Sequence, residues 1–264
     1  MPRVSSMIRA PIEHSAFSVW RFRSSAATHP GAIRARNEDN YVSRPDLGLW
    51  AVADGAGGHD AGDVASCIVT DALNAIPTGF GAAELLAEVR RRIARAHDAL
   101  WMEAARRGPY AMLVSTIVVL LAREDYYACL WAGDSRAYLL RDGRFRQLTR
   151  DHSLVQELFD HGAISAAEFD HHPAANVITR AVGAEELELD KVTDRLHPGD
   201  RFLLCSDGLF KTLPESELVE TLAADEGAPA ERLLFTALEH QADDNVTAVT
   251  IEVPADAPWA GSYH

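Results

Sequence analysis

The chain has 264 residues, 47% of them hydrophobic and 24% charged, enough apolar surface to bury the core of one large domain. Its formal net charge of -14 excludes a protein that coats nucleic acid or an anionic membrane, and turns attention to where the acids gather. Three cysteines, Cys67, Cys129 and Cys205, lie in apolar segments with no C-x-x-C pair. They read as buried thiols of a reducing, cytoplasmic compartment.

In chain order, residues 1–24 read as a leader strand or tail, without the apolar run and cleavage site of a signal peptide. "LGLWAVAD" is a strand, and Ala61, Val64, Ala65, Ile68, Ala72, Ala75 and Ile76 then recur at helical spacing. A second helix is expected over about 83–106, with Leu85, Leu86, Val89, Ile93 and Ala96 on one face. "AMLVSTIVVLLA" is about half the length of a membrane span and reads as a core strand. "YYACLWAG" and "RAYLLRDGRFRQLT" continue a meander, with Asp142-Gly143 as a tight hairpin turn. Residues 151–181 are polar and histidine-bearing, the composition of a mobile surface segment. "RFLLCSDGL" reads as a strand, helices follow from Pro214 and over "APAERLLFTALEH", and "NVTAVTIEV" is a last strand before a tail. Helices grouped between hairpin-linked strands define an α+β domain.

The acids have a pattern of their own. Asp54-Gly55, Asp134-Ser135, Asp207-Gly208 and Asp244-Asn245 each sit where an apolar run stops or starts, and Glu38 and Asp39 stand together in "RARNEDN". A single Asp-Gly is ordinary turn chemistry. Four such places admit a second reading, in which strand ends lie side by side and the carboxylates hold a hard cation. Carboxylates with a backbone carbonyl suit Mg²⁺ or Mn²⁺, whereas the sequence has no H-E-x-x-H or Cys/His quartet for zinc. Two divalent ions would neutralise the acids and lower the pKa of a bridging water for attack on a phosphoryl group.

"GAIRARNEDN", "ADGAGGHDAGDVAS", "WAGDSRAYLLRDG", "DHSLVQELFDHGAI", "HPAANVITRAVG", "LLCSDGL" and "DDNVTAVTI", in this order, resemble the motifs of the PPM (PP2C-like) metal-dependent serine/threonine protein phosphatases of bacterial type. The resemblance runs from about Thr28 to Val253. It implies a four-layer α/β/β/α sandwich over residues 25–254, two central antiparallel sheets flanked by helices, a binuclear centre at one end and a substrate-selecting flap over about 151–181. It also implies that Asp54 bridges both ions, that the Gly55 carbonyl binds one of them, that Asp207 and Asp244 hold the other, and that Glu38 is a further ligand. Asp134 with Asp207 would form a third, labile ion site, while Asp39 and Asn245 would orient ligands and water from behind. Arg34 would clamp the substrate phosphate and His59 would act as general acid. The implied cofactor is Mn²⁺ or Mg²⁺. The implied partners are phosphorylated proteins and a serine/threonine kinase whose work is reversed; the chain is expected to be a monomer without nucleic acid or membrane insertion. Ala56 and Asp63 depart from a frequent methionine and glutamate, and neither removes a ligand.

Two other functions carry the same residues: an idle regulator that keeps the fold, and a hydrolase of small phosphoesters. The first would have lost Asp54, Asp207 or Asp244, and all three are present. A cysteine-based phosphatase is excluded, because no cysteine is followed by arginine six positions on.

Overall fold

The computed structural model describes residues 22–57, 61–169, 172–224 and 227–255. Two antiparallel sheets stack face to face. One has the order β1(Arg23–His29), β11(Val246–Glu252), β10(Arg201–Cys205), β7(Arg136–Arg141), β8(Arg144–Gln147). The other has β2(Asp39–Arg44), β3(Leu49–Ala56), β5(Ile117–Arg123), β6(Tyr126–Ala132), β9(Asp190–Arg195), with the short β4(Val114–Ser115) paired to β3. This is the expected α+β sandwich.

Period-two alternation builds the layers, because successive strand side chains point to opposite faces. Trp50, Val52, Val118, Leu120, Phe202, Leu204, Val249 and Ile251 face the other sheet and form the central core. Their neighbours Leu49, Ala51, Ala53, Val119 and Leu121 point outward to α1(Gly62–Asn74) and α2(Ala82–Arg107). Leu203, Cys205, Val246 and Ala248 point the other way, to α5(Asp207–Thr212), α6(Glu215–Ala223) and α7(Pro229–Glu239). No helix among the described residues is long and apolar enough to cross a membrane.

Several expectations are corrected. Asp54 lies within β3, which runs on to Ala56 by pairing with β4. The apolar run 111–122 splits at Thr116, whose N–H and Oγ1 are both taken by the backbone of Asp54. "RFLLCSDGL" stops being a strand at Cys205, and Asp207 begins a helix. Strands β1, β2 and β9 had no apolar alternation to announce them. Cys67 is exposed, on the outer side of α1; Cys129 and Cys205 are buried, and burial pushes both thiols up. Asp151, His152 and Ser153, read as surface, are buried. They precede α3(Leu154–Asp160) and α4(Ala166–Phe169). The Asp142-Gly143 turn is as read: both residues have positive φ, the requirement of a two-residue type I′ hairpin.

Phe202 has no exposed surface and meets Tyr127 edge to face at 5.0 Å between the sheets. Phe202→Ala should therefore lower unfolding stability by about 3–5 kcal/mol with the midpoint falling at constant slope, measured by urea denaturation. A loss below about 1 kcal/mol would mean that the sheets close over the cavity.

Candidate metal centre

The pole of the sandwich where β3 and β6 end and β2, α5 and β11 begin carries the acids. Asp39 and Asp54 are register partners across β2 and β3. Asp134 follows β6, Asp207 opens α5 and Asp244 precedes β11. Glu38 precedes β2, and its N–H donates to Asn245 Oδ1 at 2.7 Å. Five strand and helix ends thus converge on one pole, and each brings a carboxylate.

Close backbone approach makes the convergence possible. A Cβ on Gly55 would lie 1.9 Å from the Gly62 carbonyl oxygen, and one on Gly62 would lie 2.5 Å from the Glu38 carboxyl carbon. Glycine at both places lets the start of α1 sit against β3. Across the pole, Asn245 fastens the β1–β2 loop: its Nδ2 donates to the carbonyls of Pro30 and Arg36 at 3.0 and 2.9 Å.

Each carboxylate is held differently. Asp39 Oδ2 accepts from Ser206 Oγ and Thr247 Oγ1, both at 2.7 Å, while Oδ1 is buried with no hydrogen-bond partner among the described residues. Burial pushes Asp39 up to about 7; the two hydroxyls oppose this, and the charges of Asp207 and Asp244 add to it. Asp134 is also pushed up to about 7, by burial and then by Asp207, with Lys211 acting against them. Asp54 is only partly covered by area. Its carboxyl is nonetheless driven well above the usual range, first by burial and then by Asp39, Asp207, Asp134 and Asp244. Glu38 is raised as well, chiefly by burial, although the Gly62 backbone opposes it.

Two cations already stand among these acids. Arg34 donates to Asp244 Oδ2 at 2.9 Å while its side chain is 56% exposed. Lys211 donates to Asp207 Oδ2 at 2.6 Å and to Asn176 Oδ1 at 2.7 Å. With Asp207 and Asp244 so engaged, no three Asp, Glu, His or Cys side chains among the described residues are gathered as a ready ligand set. The donor chemistry nevertheless fits hard divalent ions: oxygen donors only, an orphaned carboxylate oxygen on Asp39, and four acids raised at once by burial and, after it, by their neighbours' charges. The structure thus brings together Arg34, Glu38, Asp39, Asp54, Gly55, Asp134, Asp207, Asp244 and Asn245. His59 lies outside the described residues. Sequence reasoning missed Ser206, Thr247, Thr116 and Lys211. Of these only Lys211 had a signal, four residues after Asp207, had α5 been recognised.

The two-sheet sandwich thus carries an oxygen-rich acidic pole beside an exposed arginine. The family model for protein phosphatase 2C matches residues 34–244, and the chain belongs to that family. It is 35% identical over 232 residues to the serine/threonine protein phosphatase PstP of Mycobacterium tuberculosis, covering 88% of this chain and 45% of PstP. The chain thus spans under half of that relative. It is 34% identical to the serine/threonine phosphatase Stp of Listeria monocytogenes, over 85% of this chain and 93% of Stp. Among solved structures, PppA, described as a key regulatory component of the T6SS in Pseudomonas aeruginosa, superposes with a TM-score of 0.80 at 44% identity, covering 87% of this chain and 96% of PppA. The catalytic domain of PstP in complex with two manganese ions gives 0.76 at 36%, over 88% and 98%.

The raised acids set the sign of a pH effect. Asp39 and Asp134 titrate near 7 in the folded chain and near 3.8 otherwise, so between these values the folded state binds more protons than the unfolded one. Their contribution to stability is present below about 4 and lost as pH rises through about 7. Divalent ions bind the deprotonated forms and offset that loss. The difference in Tm between Mn²⁺-loaded and EDTA-treated protein should widen from pH 5.5 to pH 8 in differential scanning fluorimetry. A difference independent of pH would contradict this account of the pole.

Proposed function

We propose that this chain is a metal-dependent phosphatase that hydrolyses phosphoserine and phosphothreonine in proteins. The observation that carries the reading is the convergence of Asp39, Asp54, Asp134, Asp207 and Asp244 with Arg34 at one pole of a protein phosphatase 2C chain. Asp54, the Gly55 carbonyl, Asp207, Asp244 and Glu38 are the groups that would hold two Mn²⁺ or Mg²⁺ ions. When bound there, such ions would supply a water of lowered pKa and offset charge on the phosphoryl oxygens.

The chain's own residues do the rest. Arg34, whose guanidinium is exposed and reaches Asp244, exchanges that carboxylate for the substrate phosphate and binds it through parallel N–H donors. Asp39 stays behind the ligands, fixed by Ser206 and Thr247, and would orient a metal-bound water through its unpartnered oxygen. Asn245 holds Glu38 and the Arg34 loop in place. His59 is the proton donor to the leaving serine or threonine oxygen. The functional unit is residues 25–254, acting as a monomer in the cytoplasm, with 151–181 beside the site as the flap. An idle regulator would have no use for the intact set of Asp54, Asp207 and Asp244.

Asp54→Asn should reduce Mn²⁺-dependent turnover of a phosphothreonine peptide by at least about 10²-fold while the circular dichroism spectrum is kept. In the same assay Arg34→Ala should raise KM about tenfold or more with a smaller change in kcat. Near-wild-type rates in the first variant would remove Asp54 from the centre, and unchanged constants in the second would remove the clamp. The expected partner is a serine/threonine kinase. Loss of the phosphatase in the cell should raise phosphothreonine on that kinase's targets in a phosphoproteome, and an unchanged pattern would exclude the pairing.

A further inference from the structure

We propose that the ammonium of Lys211 is a built-in cation of this centre, standing where Asp134 and Asp207 would otherwise take up a third divalent ion, so that the chain holds two ions and not three. The proposal rests on the metal-dependent reading above and corrects one expectation attached to it, the labile third site.

Lys211 lies four residues after Asp207 on α5, so one helical turn places its side chain beside that carboxylate whatever the rest of the pole does. Its Nζ donates to Asp207 Oδ2 at 2.6 Å. A second bond, to Asn176 Oδ1 at 2.7 Å, also holds the ammonium, so its position does not depend on Asp207 alone. Lysine takes only one oxygen of Asp207 and leaves Oδ1 to a core ion. An ammonium has three donors, and two are used here. The ammonium of Lys211 and the carboxylate of Asp134 stand near enough for their charges to attract. The acid pair that would attract a third ion is thus partly neutralised by the chain itself. A divalent ion arriving there would face a fixed like charge in a partly buried place, where screening is weak. Asn176 extends the effect: the segment leading into Val177 is tied to the metal pole through a lysine and not through an exchangeable ion.

The test counts ions without using turnover. Mn²⁺ titration of the full chain, read by isothermal calorimetry and by the EPR signal of free Mn²⁺, should saturate at two ions. Lys211→Met should saturate at three, Lys211→Arg should stay at two, and Lys211→Met combined with Asp134→Ala should return to two. The thermal melt of each variant confirms folding, and Lys211→Gln serves as the neutral variant should methionine destabilise α5. Three ions in the wild type, or two in both neutral variants, would overturn the inference. A wild type that binds no Mn²⁺ would fail differently, by removing the metal reading on which it stands.

Discussion

Repulsion among carboxylates at one pole is the constraint on which the rest of this structure depends. Asp39 and Asp54 face each other across a β ladder, and like charges so placed are destabilising on their own. Three further aspartates raise Asp54. A fold that only needed turns would place asparagine or serine at such positions. Here the chain instead spends backbone and hydroxyl donors on the acids: Ser206 and Thr247 on Asp39, the N–H of Asn245 on Asp244, Lys211 on Asp207. The acids are held, and their charge is only in part offset.

The sandwich makes that arrangement rigid. Trp50 and Val52 in β3 pack on Phe202, Leu204, Val249 and Ile251 of the other sheet, so β3 and β11 keep their offset, and with it the relation of Asp54 to Asp244. The same residues, shifted by one, serve the helical layers. Because the strand period is two, sliding either strand by one position would exchange both cores and carry the acids off the pole. Register and site geometry are therefore fixed by one set of contacts.

How much of this the sequence disclosed varies with the physics of each part. Strands β3, β5, β6, β7, β10 and β11 and helices α1, α2, α6 and α7 were legible because both faces of the strands, or one stripe of the helix, are apolar. Strand β1, "RSSAATH", was not. Its cohesion comes partly from hydroxyls, Ser25 to Thr250 at 2.8 Å and Thr28 to Thr247 at 2.7 Å, which leave no hydrophobic signature. In β9 only Val192 packs on the core. The aspartates at 54, 134, 207 and 244 stood out in sequence because each sits where an apolar run stops or starts. Their supporters did not, since Ser206 and Thr247 acquire meaning only when Asp39, far off in sequence, is placed between them.

The segment after β8 shows how composition alone misleads at a surface. Its polar residues begin with an anchor: Asp151 accepts from Arg136 Nε on Oδ1 and from Nη2 on Oδ2, and the same guanidinium lies 3.6 Å over the Phe210 ring. His152 stacks on Trp131 and reaches Asp190 at 3.2 Å, and Ser153 bridges to Ile178. At the far end Asn176 meets Lys211. The segment is thus pinned at both ends, beside Asp134 and Asp207, and between them Phe159 and Phe169 pack edge to face. At its start the segment is joined to the pole by Asp151, His152 and Ser153, which the core already buries, so substitutions between the two anchors would leave the acids in place.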